Sequence, residues 1–113
     1  MKRYCQTLEL VDQPDLIEAY IKEHNNVWPE VQEGIRAVGI LDMQIYAFAN
    51  RLFMIVDTVD DFDWIKDNER LSMLPRQREW EAYMAKFQGY DPNAPSTDKW
   101  KLMTKIFELE KQV

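Results

Sequence analysis

The chain holds one histidine, His24, in the run Tyr20-Ile21-Lys22-Glu23-His24-Asn25-Asn26-Val27-Trp28-Pro29-Glu30. Tyr20 and His24 are one helical turn apart and share a face, while Asn25, Trp28 and Pro29 mark a helix end. That spacing sets a titrating imidazole beside a phenol and close to an indole. The arrangement suits a small polar ligand that needs a proton moved. On composition alone a lone histidine is more often structural than catalytic; the aromatic neighbours are what favour chemistry here.

Other catalytic frameworks are missing from the sequence. Gly34, Gly39 and Gly89 are too scattered for a phosphate-cradling loop, and no serine stands in a nucleophile elbow. One histidine and one cysteine cannot make an ordinary zinc site, although Asp and Glu could hold a hard cation. No metal site and no cofactor are therefore expected. What remains is general acid-base catalysis, which supplies roughly 10² to 10⁴ in rate. Tyr20, Trp28 and Trp80 each read singly as core or packing anchors. Met43 and Tyr46 point to opposite faces of their strand, so at most one faces a given pocket.

At 113 residues the chain is expected to be a single domain over 1–113 with one core. Fourteen Lys and Arg against 20 Asp and Glu give a net charge of −6, which disfavours nucleic acid and anionic membrane as partners. Cys5 is the sole cysteine, so a reducing compartment fits, and Cys5 itself reads as a buried strand residue. The N-terminus lacks a signal-peptide core and no apolar stretch approaches the roughly 20 residues of a membrane span. A cytoplasmic protein is expected.

Residues 3–11 read as a first strand, with Tyr4, Gln6, Leu8 and Leu10 on one side. Asp12-Gln13-Pro14-Asp15 opens a helix, proline in its first turn and acid at its positive end. Leu16, Ile17, Tyr20, Ile21 and His24 then recur at helical spacing, which puts His24 on the inward face. Pro29 opens a second short helix that carries Val31, Ile35 and Val38 and ends at Gly39. Residues 40–48 and 52–59 read as strands joined by a tight turn at Asn50, two adjacent central strands. The acids of 60–63 start a helix with Phe62, Trp64 and Ile65 as its apolar side. After Pro75, the residues Trp80, Tyr83, Met84 and Phe87 make another. Residues 88–98 read as a loop, and 100–109 alternates as a closing strand. This order is the split βαβ arrangement of a ferredoxin-like α+β domain with an antiparallel sheet. Its helices cover one face only, so a second subunit is the expected cover for the other, a homodimer of the dimeric α+β barrel type.

Taken together, the pattern resembles the L-rhamnose mutarotase family. The resemblance runs over nearly the whole chain: Tyr20-x-x-x-His24-Asn25-x-x-Trp28-Pro29-Glu30, Gly39, Ile45-Tyr46, Asn50-Arg51-Leu52-Phe53, Trp80-x-x-Tyr83-Met84 and Ile106-Phe107-Glu108-Leu109. The His-Asn-x-x-Trp-Pro-Glu element is the specific part. The resemblance implies a ferredoxin-like homodimer without cofactor that interconverts the α and β anomers of a monosaccharide, a 6-deoxy-L-hexose such as L-rhamnose or L-fucose. It further implies that His24 is the proton donor, that Tyr20 contacts the sugar and that Trp80 lines the site. In the rhamnose enzymes a sugar-binding tyrosine falls at Met43 and a second tryptophan at Glu81. Losing a phenol and an indole while gaining a carboxylate changes the hydroxyl-binding pattern. Asn25, Trp28 and Tyr46 complete the expected substrate-binding set. Two further classes compete: another dimeric α+β barrel protein, monooxygenase-like without cofactor or haem-handling, and a non-catalytic ligand-binding or dimerisation domain.

Overall fold

Proline and acid open the helices where the sequence puts them. In the computed structural model, which describes residues 1–90 and 96–111, β1 (Lys2–Glu9) turns Gln6 and Leu8 to the core and Glu9 to solvent. Helix α1 (Pro14–Glu23) has proline in its first turn and tightens at its end into a 3-10 turn, His24–Asn26. Helix α2 (Pro29–Ala37) again starts on proline, and the chain leaves it through Gly39, whose φ of 101° suits glycine alone. Strands β2 (Ile40–Phe48) and β3 (Arg51–Thr58) form a hairpin about Ala49 and Asn50, with Ala49 at φ 52°. Helix α3 (Trp64–Ser72) is capped by Asp63, whose carboxylate accepts from the Lys66 main-chain N–H at 2.8 Å. Helix α4 (Gln77–Gln88) follows, then the single turn α5 (Ser96–Lys99), the short β4 (Lys101–Leu102) and a last 3-10 turn, Leu109–Lys111.

The sheet order is β2-β3-β1-β4, antiparallel throughout, which is the ferredoxin-like arrangement expected. Three details differ from the sequence reading. Strand β2 is an edge strand and not a central one, because β1 takes the other side of β3 along its length, from Lys2↔Thr58 to Glu9↔Arg51. The expected closing strand over 100–109 shrinks to Lys101 and Leu102, paired with Thr7 and Gln6. Alternation there is not matched by burial: Ile106 is 95% and Phe107 64% exposed, with no apolar surface among the described residues covering them. The expected loop over 88–98 starts later, since Gln88 is the last residue of α4 and 96–99 form a helical turn; 91–95 lie outside the described residues. Ile65, expected on the apolar side of α3, is exposed.

The core fills the space between the inner sheet face and the helices, with Leu8, Leu52 and Val56 meeting Tyr20, Val31, Met84 and Phe87. Each such side chain contributes about 1.5–3 kcal/mol by leaving water. Helix α4 is set close against α2 by a glycine. The buried Gln77 amide donates to the Val31 carbonyl at 3.0 Å, and a Cβ on Gly34 would lie 2.4 Å from that nitrogen. This contact fixes the height of α4 over the sheet. The outer sheet face carries Tyr46 and Phe53, with ring centroids 6.5 Å apart, the 83%-exposed Phe48, and the Arg3 and Asp57 ion pair. No helix among the described residues covers it.

Candidate active site

Helix α1 ends in a way that fixes the tautomer of His24. The main-chain N–H of His24 bonds to Ile21, three residues back, and the Tyr20 carbonyl meets the imidazole Nδ1 instead, at 2.9 Å. A carbonyl only accepts, so Nδ1 carries the proton and the lone pair of the neutral ring is on Nε2. The Tyr20 ring lies 4.4 Å from the imidazole at a 36° tilt, and the edge of Trp80 packs 5.6 Å away. Burial pushes the imidazole below its ordinary 6.5, against smaller upward pulls from the Tyr20 carbonyl and Glu23. Burial therefore favours the neutral form of His24. Burial pushes the Tyr20 phenol up, so it stays a protonated hydrogen-bonding group.

These groups line a cavity of about 1360 Å³ between the sheet and the helices. Gln6, Met43 and Met54 form its floor, and Tyr20, His24 and Asn25 its α1 side. From α4 come Gln77, Trp80, Glu81, Met84 and Gln88. Of the residues singled out in the sequence, six are thus brought together: Tyr20, His24, Asn25, Met43, Trp80 and Glu81. Two are not. Trp28 stands behind Trp80, edge-on at 5.1 Å, stacked on Tyr83 and covered by the Arg76 guanidinium at 4.1 Å from its ring centre. Its role there is to back the wall that Trp80 forms. Tyr46 is on the outer sheet face, where its hydroxyl donates to Gln44 at 2.9 Å, while Met43 faces inward as strand alternation requires.

Sequence reasoning missed Gln6, Gln77, Gln88 and Lys99. Gln77, Glu81, Met84 and Gln88 recur at four, three and four residues, and that polar stripe through an amphipathic helix was the available signal. Gln6 stood similarly among apolar neighbours on the inward side of β1. Lys99 has no local signal, since its partner Glu81 is 18 residues away. No group of three or more His, Cys, Asp or Glu suited to a metal ion occurs among the described residues. Nor is any helix among them long and apolar enough to cross a membrane.

A family model described as L-rhamnose mutarotase matches residues 3–109. A UPF0734 protein of Dictyostelium discoideum is 36% identical over 113 residues, covering 96% of this chain and 90% of the relative. An L-fucose mutarotase of Xanthomonas campestris is 34% identical over 115 residues, covering 100% of this chain and 92% of the relative. Among solved structures, an L-rhamnose mutarotase from Formosa agariphila superposes with a TM-score of 0.72 at 19% identity, over 96% of this chain and 98% of that one.

Proposed function

The chain belongs to the L-rhamnose mutarotase family, and from the geometry of its cavity we propose that it equilibrates the α and β anomers of a 6-deoxy-L-hexose, L-fucose or L-rhamnose, with His24 as the proton-transfer group. The observation that carries this reading is the committed Nδ1, which leaves Nε2 as the single basic nitrogen of a neutral imidazole on an aromatic wall.

Mutarotation opens and recloses a hemiacetal. Nε2 takes the proton from the anomeric hydroxyl, the bond from C1 to the ring oxygen breaks with its electron pair on that oxygen, and a water or phenol hydroxyl protonates it. The aldehyde turns about its bond to C2 and the ring recloses on the other face: the hydroxyl formed from the ring oxygen attacks C1 and returns its proton to the water or phenol, while the imidazolium returns its own to the new anomeric oxygen. Tyr20 orients the sugar, and Trp80 offers an apolar face to its C–H side and methyl group. Asn25, exposed at the cavity rim, offers an amide to a ring hydroxyl.

The sign of the pH dependence follows from the depressed imidazole. Catalysed exchange should be level near neutrality and fall on acidification, with its midpoint below 6.5, the ordinary histidine value. A rate that rises as pH drops would show that the imidazolium is the working form at the start of the cycle, contrary to this assignment. The measurement is enzyme-dependent anomer exchange by NMR, with the buffer rate subtracted at each pH.

The reading extends to assembly and setting. A homodimer of this domain is supported by the outer sheet face, where Tyr46 and Phe48 are exposed beside the half-buried Phe53, and by the exposed Ile106 and Phe107. A 13.6 kDa particle in light scattering at micromolar concentration would contradict it. Cys5 is half-buried and free, which supports a reducing, cytoplasmic setting.

A further inference from the structure

A polar residue stands where the floor of the cavity calls for an apolar one. The inward row across the sheet runs Ile45, Met54, Gln6 and Leu102, each opposite the next in register. Gln6 is 6% exposed, and among the described residues its carboxamide makes one hydrogen bond, from Nε2 to the Met54 sulfur at 3.1 Å. A thioether is a weak acceptor, so that contact returns little of what desolvating an amide costs. The Gln6 Oε1 meets no donor there, yet it is not sealed off: Gln88 Oε1 is the sole side-chain nitrogen or oxygen among the described residues that is both closed to solvent and unbonded. Since Gln6 lines the cavity, its Oε1 opens into that space. Asp42 is the other polar strand residue on the cavity, and it is exposed at the β2 edge, where it accepts from Gln44.

Building on the mutarotase reading, we propose that Gln6 holds the sugar from the sheet side of the cavity, its Oε1 accepting a hydrogen bond from a ring hydroxyl. The chemistry of the group selects the class of ligand. A carboxamide is neutral and draws in neither cation nor anion, whereas a polyol brings the hydroxyl donor that Oε1 lacks on an uncharged body. Met43 and Met54, which share the floor, offer apolar surface and weak sulfur acceptors, so Gln6 is the hydrogen-bonding group there. It is on a strand and His24 is at the end of a helix, and no hydrogen bond joins the two among the described residues. Gln6 therefore acts on binding and on the choice of sugar, not on proton transfer, and its loss reads in KM.

Gln6→Met keeps the length of the side chain and removes the carboxamide, which gives the test opposite signs in stability and binding. The urea midpoint should stay level or rise, because a poorly satisfied buried amide gives way to an apolar group. KM for anomer exchange of L-fucose or L-rhamnose should rise about 10-fold or more, with kcat within about 2-fold. A structural glutamine gives the reverse, a lowered midpoint with KM in place, and that result overturns the proposal. An unchanged KM with a level or raised midpoint assigns the amide to bound water and overturns it as well. Gln6→Leu is the second variant, and loss of folding in both makes the role structural. Analogues lacking one ring hydroxyl at a time then locate the contact. For the analogue without the hydroxyl that Gln6 binds, the unsubstituted protein and Gln6→Met should agree in KM within about 2-fold. A gap of about 10-fold that persists for every such analogue overturns the direct contact. Unsubstituted protein that exchanges neither sugar overturns the mutarotase reading itself, before any variant is compared.

Discussion

His24→Ala should lower the catalysed anomer exchange by about 10²-fold or more, the loss expected for one general acid-base group. Sugar affinity should change much less, since the removed function acts mainly in the transition state. The ring also makes one hydrogen bond, from Nδ1 to the Tyr20 carbonyl, and losing it costs only about 1 kcal/mol of stability. Melting temperature and exchange measured on one preparation therefore separate catalysis from structure. A folded His24→Ala protein with near-normal exchange would remove the imidazole from the mechanism.

Trp80→Ala should cost about 3–5 kcal/mol of stability, the range for truncating a large core aromatic. Trp80 is 7% exposed and packs against His24, Trp28 and Tyr83, so its loss leaves a void that three other rings border. Trp80→Phe keeps an aromatic face and should lose far less. Urea titration of both variants checks the order. Equal midpoints for Trp80→Ala and the unsubstituted protein would show that the wall is not built around this indole.

Much of the fold could be read from local chemistry. Pro14, Pro29 and Asp63 mark helix starts because each satisfies or removes an orphan N–H, and Gly39 marks a stop because of its φ. The pairing of Tyr20 with His24 was equally readable, since helical spacing alone puts them together. What was not readable depends on long-range choices. Whether β2 lies at an edge or at the centre depends on which strand claims β3. Whether 100–109 forms a strand depends on an apolar surface for Ile106 and Phe107 that the described residues do not supply. Trp28 and Trp80 look alike in sequence, and only the approach of α4 to α2, permitted by Gly34, decides that Trp80 faces the cavity while Trp28 backs it. The Glu81 and Lys99 pair spans the Gly- and Pro-bearing segment 89–95, across which helical spacing carries no information.

The most direct check on the central claim is saturation-transfer NMR on L-fucose and L-rhamnose at neutral pH, with and without the unsubstituted protein. The mechanism predicts that magnetisation passes between the α and β anomeric protons of at least one sugar faster than in buffer, in proportion to protein concentration. Exchange equal to the buffer rate for both sugars, with the protein folded, would contradict it.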